Sequence, residues 1–137
     1  MDKRAQRMER LRAVQQQLHR IAEWKLSEIE RRLAGIEERR REVLVALDRD
    51  QALQSLFLDV SVRRLVVLGK ERDEAGRQLE AQKTAVLEQA SRLKTAERIS
   101  ADLAEAERRA EERTLLLDLI EAYLDRQAKA SLKFGGA

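Results

Sequence analysis

The sequence predicts an all-α protein in which two long helices form an antiparallel coiled-coil hairpin, and three observations carry that reading. Apolar and small residues recur at alternating steps of three and four almost from end to end, the spacing that keeps one stripe on one side of a helix. Proline is absent, and only Gly35, Gly69 and Gly76 interrupt the run of strong helix formers before the closing Gly-Gly-Ala. With 39% of residues charged and 3% aromatic, 137 residues cannot fill a thick core, whereas a thin seam between two helices suits them.

The first helix, about 3–47, carries its stripe through Met8, Leu11, Gln15, Leu18, Ala22, Leu26, Ile29, Leu33, Ile36, Arg40, Val43 and Leu47. Two successive steps of four at Leu18, Ala22 and Leu26 predict an insertion that relaxes left-handed supercoiling locally. A turn is expected at about 48–52, where Asp48 and Gln51 have capping-box spacing. The alternative turn is Gly69-Lys70, with Arg63 and Arg64 before it and Glu71, Asp73 and Glu74 after it. A third reading makes Leu56 to Leu68, Val-rich and alternating at LDVSV, a β tip.

The second helix, about 53–133, continues the stripe through Leu58, Val62, Leu65, Gly69, Arg72, Gly76, Leu79, Lys83, Val86, Ala90 and Leu93. It slips at Ala96 and Ile99 and resumes at Leu103, Ala106, Ala110, Leu117, Ile120 and Leu124. The small residues are expected to admit a close neighbour. Residues 134–137 read as a disordered tail, and 1–137 as a single coiled-coil domain. The rival fold is a dimer of long helices, since an unpaired helix of this length needs a second chain.

Charge and composition narrow the function. Residues 1–47 hold 12 Lys/Arg against 8 Asp/Glu, so the +3 formal charge comes from the first helix. Its basic residues are interleaved with acids, with Glu28 and Glu37 four residues before Arg32 and Arg41, a pattern of solvated ion pairs and not of a nucleic-acid-binding stripe. Binding to nucleic acid or an anionic membrane through Arg4, Arg7, Arg10 and Arg12 would show as strongly salt-dependent association. No cysteine supplies a disulfide or a thiolate ligand, and no apolar stretch reaches the length of a membrane span, so a cytoplasmic protein is expected.

The catalytic inventory is poor. His19 is the only histidine and flanks the stripe between Leu18 and Ile21. LGKERDE has a Gly-Lys pair but neither the earlier glycine nor the Ser/Thr of a phosphate loop. Abundant carboxylates on a two-helix seam have no closed pocket in which to act as acid and base. The reading is a non-enzyme without cofactor, metal or small-molecule substrate.

What remains is apolar surface. In LQSLFLDVSVRRLVVL, from Leu53 to Leu68, apolar residues cover more than half of the helix circumference, more than one partner helix can bury. Phe57 and Val66 lie nine residues apart and so on opposite sides of the helix. A second patch comprises Leu115, Leu116, Leu117, Leu119, Ile120, Tyr123 and Leu124.

A Pro-free, charge-laced helical chain of this length, with a basic first helix, an acidic turn and a second helix opening on Phe57, Leu58, Val62 and Leu65 before ERDEAGRQLEAQ, resembles the FliJ/YscO-type stalk proteins of type III (flagellar) protein export. The resemblance implies a cytoplasmic adaptor or chaperone that links an export ATPase to a membrane export gate, touching the membrane only through its partner. It assigns Phe57, Leu58, Val62, Leu65 and Val66 to the gate, and Arg4, Arg7, Leu11, Leu117, Ile120, Tyr123 and Leu124 to the ATPase. Gly69 and Arg72 depart from the apolar contact residues that the resemblance implies after Leu65. It also implies a monomer or weak homo-oligomer. A generic coiled-coil scaffold or oligomerisation module is the alternative, and it predicts stable homo-oligomers without ATPase stimulation.

Overall fold

The computed structural model describes the backbone of residues 3–49 and 51–135, and side chains in 3–49 and 57–133. All described residues are helical: α1 spans Lys3–Arg49 and α2 spans Gln51–Gly135. The helices pack on each other as an all-α hairpin. Asp48 lies in the last turn of α1, so it is not the N-cap of α2; Asp50 lies outside the described residues. Helix α2 runs unbroken through Leu56–Leu68 and Gly69-Lys70, because neither stretch contains a proline and a helical glycine costs only about 1 kcal/mol. For the same reason α2 continues through Phe134 and Gly135, past the end expected at 133; Gly136 and Ala137 lie outside the described residues.

Two compact units can be distinguished, residues 14–94 and residues 1–13 with 95–137. In the first, α1 and α2 run antiparallel: Gln82 Nε2 donates to the Ala22 carbonyl at 3.0 Å, Arg32 donates to Gln78, and Arg72 Nε lies 3.8 Å from Glu37 Oε1. Its core is Ile36, Val43, Leu68 and Ala75, with Leu33, Leu47 and Leu65 packed against it. In the second unit Ser100 Oγ donates to Glu9 Oε2 at 3.1 Å, and Ala5 and Ala96 are buried.

Burial shows where the seam runs. On α1 the less exposed positions include Gln15, His19, Ala22, Leu26, Ile29, Leu33, Ile36, Arg40, Val43 and Leu47, steps of four and three without exception. The insertion expected at Leu18 is therefore absent. His19 faces the seam with 19% of its side chain exposed, while Leu18 is 39% exposed and Leu11 44%. In the other unit Ala5, Met8 and Arg12 keep the same spacing.

On α2 the seam runs through Ser61, Leu65, Leu68, Arg72, Ala75, Leu79, Gln82, Val86, Gln89 and Leu93. Every second position is one residue earlier than the apolar stripe suggested: Leu68, Ala75, Gln82 and Gln89 take the places expected for Gly69, Gly76, Lys83 and Ala90. In the other unit Ala96, Ser100 and Leu103 continue without the slip expected at Ile99. The close approach is made at alanines, Ala75 being 1% exposed, and not at the glycines, since a Cβ on Gly69 or Gly76 would meet nothing within 4 Å.

Most ion pairs are local. Arg12, Arg77 and Arg108 hold Glu9, Glu74 and Glu105 at 2.6–2.7 Å, three residues before them. The expected Glu28–Arg32 and Glu37–Arg41 pairs are replaced by Glu28–Arg31 and Glu38–Arg41, because Arg32 and Glu37 reach across to α2.

Hydrogen bonds from Arg12 and then Ser100 hold the Glu9 carboxyl below its ordinary range, and bonds from Arg77 and Arg108 do the same for Glu74 and Glu105. A depressed carboxylate pKa favours the folded state above the unfolded carboxylate pKa, and this contribution is lost as pH falls through the folded value. All three groups are exposed, so the acid sensitivity they confer is small. Carboxyl NMR titration is expected to give midpoints for all three below that of a peptide glutamate. Ser100→Ala should raise the Glu9 midpoint alone; an unmoved midpoint would remove Ser100 as a cause.

Candidate protein-docking surfaces

The first surface lies in the unit of residues 14–94, on the opening turns of α2. Its helix is apolar nearly all round, and α1 covers only the side that carries Leu65 and Leu68. Phe57, Leu58, Val60, Val62, Val66 and Val67 are left about half exposed, Phe57 at 55% and Val66 at 52%. Phe57 and Val66 stand on opposite sides of the helix, and neither enters the seam. Of the residues assigned to the gate, Phe57, Leu58, Val62 and Val66 are thus exposed, whereas Leu65 belongs to the core cluster. The side chains of Leu53 and Leu56, in the same apolar run, lie outside the described residues.

Sequence reasoning missed Leu44 and Val45, exposed near the end of α1, and Val14 and Ile21 nearer its start, while Trp24, expected to pack at the edge of the seam, is 63% exposed. Val14, Leu18 and Ile21 repeat at steps of four and three, each one residue before a seam position. That second apolar stripe was legible as a heptad in its own right, but the reading merged part of it with the seam.

The second surface lies in the other unit, where every described residue of α2 from Arg108 to Lys133 is exposed. Leu115, Leu116, Leu117, Leu119, Ile120, Tyr123 and Leu124 are between 45% and 66% exposed. Tyr123 Oη accepts from Gln127 Nε2 at 3.2 Å, one turn along the same helix. Arg4, Arg7 and Leu11, assigned with this patch to an ATPase, are exposed on α1.

His19 Nε2 lies 2.7 Å from Glu23 Oε1 on its own helix, while its buried Nδ1 has no partner. Among the described residues no three His, Cys, Asp or Glu side chains are grouped to hold a metal ion, and no helix is long and apolar enough to cross a membrane. The groove over Ile36 is an open trough walled by Arg32, Arg39, Lys70, Glu71 and Glu74, both signs of charge facing one another. Such a surface can bind by apolar contact, flanked by charges that orient a partner. No protein-family model, no curated protein and no solved structure matches this chain.

Proposed function

We propose that this protein is a non-enzymatic coiled-coil adaptor of type III (flagellar) protein export, cytoplasmic and linking an export ATPase to a membrane export gate. The observation that carries the adaptor reading is the half-exposed apolar girdle at the start of α2, Phe57, Leu58, Val62 and Val66, on a helix whose seam side is already occupied. Buried apolar area is the main source of protein–protein affinity, and leaving such side chains in water is otherwise unfavourable. The export context comes from the sequence resemblance. In this reading the girdle docks on the gate, and Arg4, Arg7, Leu11, Leu117, Ile120, Tyr123 and Leu124 meet the ATPase.

The test is co-purification with an export ATPase and its gate protein, alongside ATPase assays. Phe57→Glu and Val66→Glu are each expected to weaken gate capture by tenfold or more while helicity and melting stay nearly unchanged, since both side chains already face solvent. ATPase stimulation should survive both substitutions and fall in Tyr123→Glu. Unimpaired gate capture in both variants, or no ATPase stimulation by the unaltered protein, would overturn the export reading.

A further inference from the structure

We propose that the exposed apolar face near the end of α2 pairs with the same face of a second copy, forming an antiparallel dimer whose two-fold axis passes through Ile120. Leu116, Leu117, Tyr123 and Leu124 stand four and three residues before Ile120 and three and four after it. At 100° per residue all five fall within about 60° of Ile120, so they form one face with palindromic spacing. An isologous interface requires a patch that maps onto itself when the chain direction is reversed. Here Leu116 meets Leu124 of the second copy, Leu117 meets its Tyr123, and Ile120 meets its own counterpart.

Area and charge support the same occupant. The five side chains are 45% to 58% exposed, roughly 500 Å² per copy, so pairing buries at most about 1,000 Å² in total, the size of a weak, concentration-dependent dimer. Glu112 and Arg126 lie fourteen residues apart and so only about 40° apart around the helix, on one flank of this face. Antiparallel pairing sets Glu112, which already holds Arg108 at 2.6 Å, near Arg126 of the second copy. Parallel pairing would put the two Glu112 on opposite flanks and leave each roughly 21 Å along the axis from Arg126, and it would align the helix dipoles unfavourably. The same side chains cannot serve the dimer and another protein at once, so self-pairing competes with any partner docked there. The inference does not depend on the export reading.

The chain contains no cysteine, so single cysteines report the geometry cleanly. Sedimentation equilibrium of the full chain between 1 and ~100 μM is expected to show a monomer–dimer equilibrium. Ile120→Lys, which places two like charges on the axis, should raise the dimer dissociation constant at least ~10-fold without changing helicity, because Ile120 lies in the stretch from Arg108 to Lys133 where every residue is exposed. Under mild oxidation Ile120→Cys should cross-link with itself. Leu116→Cys and Leu124→Cys should each fail to self-link but should link when mixed, because eight residues are ~12 Å, well beyond disulfide reach. A monomer at ~100 μM, a dimer untouched by Ile120→Lys, or self-linking of Leu116→Cys would each overturn the proposal.

Discussion

Ile36→Asp is expected to abolish cooperative unfolding of the helix pair. Ile36 is 2% exposed and sits in the buried cluster that joins the helices of residues 14–94 through Val43, Leu68 and Ala75. No large side chain among the described residues is more deeply buried, so the loss has little to fall back on. Truncating a buried isoleucine costs about 2–5 kcal/mol, and an unpaired carboxylate adds its desolvation. Against a total stability of about 5–15 kcal/mol, the sum removes a third or more of what holds the hairpin. Circular dichroism melts should show a broad, non-cooperative loss of helix. Ile36→Val should lower stability by only about 1 kcal/mol. A sharp melt near the original midpoint in Ile36→Asp would show that the seam is not held at this cluster.

The second large effect has the opposite sign. Gln15 Oε1, His19 Nδ1 and Gln89 Oε1 are buried seam atoms with no hydrogen-bond partner. An unsatisfied buried polar atom costs about 1–3 kcal/mol, whereas the bond from His19 to the solvent-exposed Glu23 carboxylate returns about 1 kcal/mol. His19→Leu combined with Gln89→Leu should therefore raise stability by about 1–3 kcal/mol, read as a higher midpoint in urea unfolding. A lower midpoint would mean that the polar layer is satisfied in solution. Polar residues at seam positions also fix register, so the stabilised variant is expected to lose some of its preference for one pairing.

These polar layers mark where the sequence was legible and where it was not. From Ala22 to Leu47 the α1 stripe was readable residue by residue, because Leu26, Ile29, Leu33, Ile36 and Val43 are apolar at the positions that face α2. Before Ala22, hydrophobicity selects Leu11 and Leu18, yet the half-buried seam positions are Arg12 and His19. Packing two helices is a collective choice, and shifting the stripe would break the alternation for every later layer. The clue was periodicity: reading His19 in place of Leu18 removes the predicted insertion. The same holds on α2, where Gln82 and Gln89 occupy seam positions that an apolar search passes over. The surface at Phe57 and Val66 was legible because nine residues of separation cannot be reconciled with one seam. Leu65 was read both as a seam residue and, through the resemblance, as a gate contact, and its packing against the core cluster agrees with the first.

The spacing of the cross-helix bonds bears on how the chain assembles. Arg32 and Gln78 are 46 residues apart, Ala22 and Gln82 60, and Glu9 and Ser100 91. Formed independently, each doubling of the intervening chain adds only about 0.6 kcal/mol of closure entropy. Formed in sequence, the cost is lower still, because each closed layer holds the next pair of segments side by side. The cheapest closure is at the end of the core cluster where Leu47 and Leu65 lie nearest along the chain, and every later contact then closes a loop of only a few residues on each helix. The hairpin thus has the local-contact topology of a zipper despite bonds that span most of the chain.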